Sequence, residues 1–182
     1  MGKLYFTSDT HFNQQRTLEM SKRPFKDVKE MNNVLVSNWN KIIKPEDIVY
    51  HLGDFGDYRM REFLNGKIVL VKGNYERSGY KEEYEKYAHL FDEVHENIHT
   101  IRLNHNNHDY FITMTHEPSK IRDIPINEER INLFGHVHKL CMIKAYGINV
   151  GMDCHNFKPL SLEDVIFYHN ALLNYYDDNV FY

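Results

Sequence analysis

Five short apolar runs in this chain each end in residues able to ligate a metal or turn the backbone. Residues 3–8 (KLYFTS) lead into Ser8-Asp9-Thr10-His11, residues 47–52 (DIVYHL) into Gly53-Asp54, and residues 67–71 (KIVLV) into Lys72-Gly73-Asn74. Residues 110–115 run into His116-Glu117-Pro118, where proline stops further pairing. Residues 131–134 run into Gly135-His136-Val137-His138. Asp9 and His11 are two apart, as are His136 and His138, so on an extended backbone each pair leaves one face. In open α/β sheets, ligands gather at the carboxyl ends of strands. Oxygen and imidazole donors without thiolate suit borderline or hard divalent metals. Taken singly, Asp-x-His, Gly-Asp and Gly-Asn are ordinary turns. A turn-rich surface does not explain why seven such residues follow strands and almost none sits within one.

The pattern between these runs alternates strands with helices. Asp27 caps a helix whose apolar positions Val28, Met31, Leu35, Trp39 and Ile42 keep helical spacing, and Pro45 ends it. A short helix is expected over residues 58–64 and a charged one over residues 80–90. Beyond that point, residues 98–103, 110–115, 131–134, 141–145 and 148–150 read as short strands, with a hairpin tip over residues 104–108 (NHNNH). A closing helix starts at Ser161, where Ser-Leu-Glu-Asp resembles a capping box. This order suggests an α/β sandwich. Nothing marks a boundary, and residues 1–182 read as one domain.

Composition narrows the function. Lys and Arg total 22 against 26 Asp and Glu, a net charge of −4, so no basic field favours long nucleic acid. No apolar run approaches the ~18 residues of a membrane span, and residues 1–10 do not read as a signal peptide. Cys141 and Cys154 form neither a disulfide framework nor a CxxC pair, which suggests a soluble protein of the reducing cytoplasm. Twelve histidines in 182 residues make the placement of imidazole the central question.

In this order, the blocks resemble the calcineurin-like metallophosphoesterase superfamily, whose pattern runs D-x-H, G-D, G-N-H-[DE], H and G-H-x-H. The blocks Ser-Asp-Thr-His-Phe, Arg23-Pro24-Phe25, Asn38-Trp39-Asn40, residues 49–55 (VYHLGDF) and residues 149–153 (NVGMD) are similar to small single-domain members from bacteria and their phages. The resemblance implies a four-layer α/β/β/α sandwich of two mixed sheets flanked by helices. It also implies two divalent metal ions, manganese foremost, with iron, zinc, nickel or cobalt also suited. Asp9, His11 and His138 would hold the first, Asn74, His116 and His136 the second, and Asp54 would bridge them. Such a pair activates a bridging hydroxide and clamps phosphate oxygens. The implied activity is hydrolysis of phosphate esters, with nucleotide-type phosphodiesters preferred and a small phosphate ester or nucleotide as substrate. Asp54, Asn74, Tyr75 and His116 are then the catalytic candidates.

One position departs from the family. Gly73-Asn74-Tyr75-Glu76 places tyrosine where the family has the histidine credited with steadying phosphate and protonating the leaving group. Tyrosine donates a hydrogen bond at neutral pH but carries no imidazolium charge. Turnover of poor leaving groups is therefore expected to be weakened, unless Glu76 or His51 takes over the role. The alternative is a catalytically weakened copy that serves as a binding or scaffold module. His51 reads first as a packed or positioning residue, while His155, two residues after Asp153, lies where it could reach the site. His89, His95, His99, His105, His108 and His169 read as surface or structural. Arg16, Arg77, Lys120 and Arg122 sit near the ligand blocks and could bind phosphate, although solvated surface charge explains any one of them.

Overall fold

The first strand, β1 (Leu4–Thr7), is buried on both faces, and that decides the architecture. Tyr5 joins one apolar cluster and Phe6 the other, as the two-residue period of a strand requires. The same division holds in β2 (Ile48–His51), between Val49 and Tyr50, and in β3 (Lys67–Val71), between Ile68 and Val71. With the short β4 (Glu93–His95) these three make a parallel run. The antiparallel β10 (Leu160–Ser161) joins on the far side of β1, giving the order β10-β1-β2-β3-β4. The structure, a computed structural model, describes residues 2–175.

The outer face of this sheet is covered by α1 (Gln15–Met20) and α2 (Val28–Ile42), with Tyr84 of α3 (Lys81–Tyr87) in the same cluster. Leu18, Met31, Leu35 and Trp39 form the apolar stripe. The Asp27 side chain accepts from the Glu30 amide at 2.7 Å, the cap that its position suggests. The inner face packs on a second mixed sheet of β5 (Ile98–His105), β6 (His108–Thr115), β7 (Arg130–Phe134), β8 (Ile143–Lys144) and β9 (Gly147–Asn149). Its order is β5-β6-β7-β9-β8, with β6, β7 and β9 parallel. Phe6, Leu52 and Val71 meet Ile112, Met114, Ile131, Leu133 and Ile148 between the sheets. Leu162 and Val165 of α4 (Leu162–Tyr175) close that layer. This is the expected α/β arrangement of two mixed sheets with flanking helices. Among the described residues, no helix is long and apolar enough to cross a membrane.

Several local expectations change. The helix expected over residues 80–90 divides into α3 and a 3-10 turn at Ala88–Leu90. The strand expected over residues 141–145 shortens to β8. The hairpin tip tightens to Asn106-Asn107, both with positive φ, matching a two-residue turn. At Ser161 the capping box is reciprocal: the Asp164 amide donates to Ser161 Oγ, and the Ser161 amide donates to Asp164 Oδ2.

Candidate metal centre

The loops after β1, β2, β3, β6 and β7 meet at one edge, and they bring the seven candidate ligands together. They do not do so on extended backbone. Asp9, His11, Asp54, His136 and His138 all have φ between 48° and 73°, in the left-handed region. Each i, i+2 pair would leave one face only on extended backbone, so here it is left-handed turns that bring the pairs together. Each left-handed residue turns the chain, and at Asp9 and His11 the loop after β2 holds the turn. The Asp9 amide donates to Gly53 O at 3.0 Å, and the His11 amide donates to Asp54 O at 3.1 Å. Asp and His tolerate this conformation better than most residues, yet backbone strain of this kind clusters at functional sites.

In the first cluster, Asp9 Oδ1 lies 3.7 Å from His11 Nε2 and 3.9 Å from His138 Nε2. One ligand atom from each of the three lies within 4.8 Å of the others. Buried polar atoms ordinarily find partners. Here Asp9 Oδ1 and His11 Nε2 are both buried without one. The outward nitrogens are occupied. His11 Nδ1 pairs with Gln14 Oε1 at 2.6 Å, and His138 Nδ1 donates to Asp153 Oδ2 at 2.9 Å. That leaves both Nε2 lone pairs turned inward, the arrangement that orients metal-binding histidines.

The second cluster is tighter. Asn74 Oδ1, His116 Nε2 and His136 Nδ1 stand 3.0–3.1 Å from one another. The Leu52 carbonyl accepts from His116 Nδ1 at 2.7 Å, so Nε2 presents its lone pair to the group. Acceptors this close repel unless a cation or proton sits among them. Accordingly, although burial opposes a charge on His116, the Asp54 and Asp9 carboxylates push its pKa up to about 9. Asp54 stands between the clusters, with Oδ2 3.4 Å from His116 Nε2 and 3.8 Å from His11 Nε2. Burial favours a protonated Asp9, but the surrounding histidines, His11 first, hold its carboxyl well below the usual range. The donor set fits a pair of divalent cations. Two glycines protect the geometry: a Cβ on Gly73 would overlap Asp54 Oδ1, and one on Gly135 would lie 2.6 Å from Asp9 Oδ2. Gly135→Ala is expected to keep the fold by circular dichroism and weaken manganese binding about tenfold or more in a titration.

The remaining candidates separate by contact. Tyr75 lines the cavity above the clusters, edge-on to His11 at 5.0 Å and stacked on Tyr80. Burial and the Asp54 charge raise its pKa, so it stays a neutral donor. Glu76 cannot replace the family's histidine. It is buried and accepts from the Asp54, Phe55 and Gly73 amides, which fixes it as a loop clamp. His51 cannot either: it is fully buried against Thr10 and Phe55, and burial lowers its pKa to about 3. His155 turns away to bond Asn149 O at 2.7 Å. Arg77 and Lys120 are both paired with Glu117, whereas Arg16 lines the cavity.

Sequence reasoning gave no role to Arg23 and Asp153. Their side chains form a buried two-pronged ion pair, Nε to Oδ1 at 2.9 Å and Nη2 to Oδ2 at 2.8 Å. Arg23 also donates to the Asp9 and Thr10 carbonyls. One guanidinium thus fixes the Asp9 backbone directly and the His138 ring through Asp153. The only signal was that both residues fall in blocks of the family resemblance.

Two groups of candidate metal ligands, with Asp54 between them, lie at the carboxyl edge of two mixed sheets, a donor arrangement suited to a pair of cations. The chain belongs to the calcineurin-like phosphoesterase superfamily, whose domain matches residues 3–158. That family is dimetal-dependent, and membership points to hydrolysis of phosphate esters. The chain is 32% identical over 176 residues to an uncharacterized protein of Methanocaldococcus jannaschii, covering 91% of this chain and 90% of that one. A crystal structure of a protein of unknown function from Aquifex aeolicus is similar at a TM-score of 0.69 and 28% identity, covering 92% of this chain and all of the other.

Proposed function

We propose that this protein hydrolyses phosphate esters with two divalent cations, manganese foremost, and prefers nucleotide-type phosphodiesters to monoesters. The observation that carries the reading is the pair of ligand clusters around Asp54, with buried Asp9 Oδ1 and His11 Nε2 lacking any partner. Asp9, His11 and His138 would hold one cation, Asn74, His116 and His136 the other, with Asp54 between them. When bound, such cations supply an activated water near neutral pH and offset phosphate charge. Asp153 and Leu52 O orient His138 and His116, and Tyr75 offers its hydroxyl proton to a phosphate or leaving-group oxygen at the cavity wall. The preference for diesters rests on the resemblance to small family members. Lack of a basic field favours a short substrate over long nucleic acid.

The test is hydrolysis of bis(p-nitrophenyl) phosphate and p-nitrophenyl phosphate by stripped protein with manganese restored. Turnover that needs the metal, faster on the diester, is the expected result. Two bound manganese ions without turnover of any ester would instead favour the scaffold reading. The tyrosine makes a second prediction. General acid catalysis is typically worth ~10²–10⁴ in rate. Tyr75→His is therefore expected to raise turnover of an alkyl ester by about 100-fold, leaving p-nitrophenyl esters within a few-fold. Equal rates on the alkyl ester would mean that position 75 does not limit leaving-group protonation.

A further inference from the structure

The cavity above the two clusters has walls of its own character. It encloses about 440 Å³, within the range of small-molecule sites. One wall is α1, where Arg16 and Met20, four residues apart, both line the cavity. The other is the 3-10 turn His138–Leu140 with Val137 before it, which contributes Val137, Lys139 and Leu140. Each wall carries one cation and one large apolar side chain, standing over the candidate metal ligands. Met20 is 57% exposed and Leu140 87%. Exposed apolar groups gathered at one site, rather than scattered singly, mark binding surfaces. Among the described residues, neither Arg16 nor Lys139 forms an ion pair, in contrast to Arg77 and Lys120.

We propose that this rim is the subsite for the organic group of the substrate. Met20, Val137 and Leu140 take an apolar, planar group such as an aryl ring or nucleobase. Arg16 and Lys139 attract the phosphate oxygens that face away from the cavity floor. The inference rests on the phosphoesterase reading for the position of the phosphate, but it is a statement about binding and is tested without turnover. Phenylphosphonate and methylphosphonate carry the same anionic head on a stable P–C bond and differ only in the organic group.

Calorimetric titration of the manganese-loaded protein is expected to give about tenfold tighter binding of phenylphosphonate, the gain from burying part of a ring. Met20→Ser/Leu140→Ser should bring the ratio of the two affinities close to one. Arg16→Gln should weaken both phosphonates by a similar factor and leave the ratio standing. Equal affinities in the native protein overturn the proposal, as does a ratio that survives the double serine variant. A rim that serves a protein partner gives the first of these results. If the preference holds while no phosphate ester is turned over, the rim stands and the hydrolase reading falls.

Discussion

Asp54→Asn will lower hydrolysis by about a thousandfold and weaken both cation sites at once. The substitution keeps the shape of the side chain, so a loss cannot be assigned to a collapsed loop. What it removes is a negative charge and one of two oxygen donors. The Tyr75 amide donates to Asp54 Oδ1 at 3.0 Å, so asparagine will turn its carbonyl oxygen toward that donor. Its NH2 group then occupies the Oδ2 position, 3.4 Å from His116 and 3.8 Å from His11, and an amide nitrogen that donates does not ligate. Manganese content after dialysis is expected to fall from two ions per chain to one or fewer, in step with turnover. His11→Ala serves as the comparison, since it belongs to one cluster alone and should leave the other site filled. Two ions retained in Asp54→Asn, with turnover within tenfold of native, would remove Asp54 from the bridging position.

The candidate ligands were legible because strand ends are legible. An apolar run followed by Asp, Asn or His beside glycine reads directly from residue order, and five such blocks constrain one another. Backbone conformation was not. Nothing in Asp9-Thr10-His11 distinguishes an extended strand end from two left-handed turns, because the turns are held by partners across the fold, at Gly53 and Asp54. Short elements escaped for a related reason. The six-residue α1 follows Gln14, an N-cap that makes no side-chain capping bond, so its signal is weak. The edge strand β4 is three residues long and owes its conformation to β3. Glu76 shows the limit most clearly. A carboxyl two residues after a ligand reads as a candidate acid, yet three backbone amides claim its oxygens.

Asp153→Asn will separate two roles that the Arg23–Asp153 pair combines. Both side chains are almost wholly buried, so removing one charge leaves the other uncompensated, at a cost of about 3–5 kcal/mol in unfolding stability. Asparagine is also a weaker acceptor for His138 Nδ1, and loss of such a partner typically weakens metal binding by ~10–100-fold. The two effects come apart in Arg23→Met/Asp153→Leu. Neutral apolar side chains of similar size remove the buried-charge penalty, and stability should recover in part. Recovery stays incomplete because Arg23 also donates to the Asp9 and Thr10 carbonyls, which then lose a donor. Manganese affinity at the first site should not recover at all, since His138 still lacks its carboxylate. The second site, built on Asn74, His116 and His136, should bind as in the native chain. Denaturant unfolding gives the stability, and a manganese titration followed by electron paramagnetic resonance gives the two affinities separately. If affinity at the first site returns with stability in the double variant, the buried pair serves only to hold the fold. If it stays low in a protein of restored stability, Asp153 positions the His138 ring for the metal.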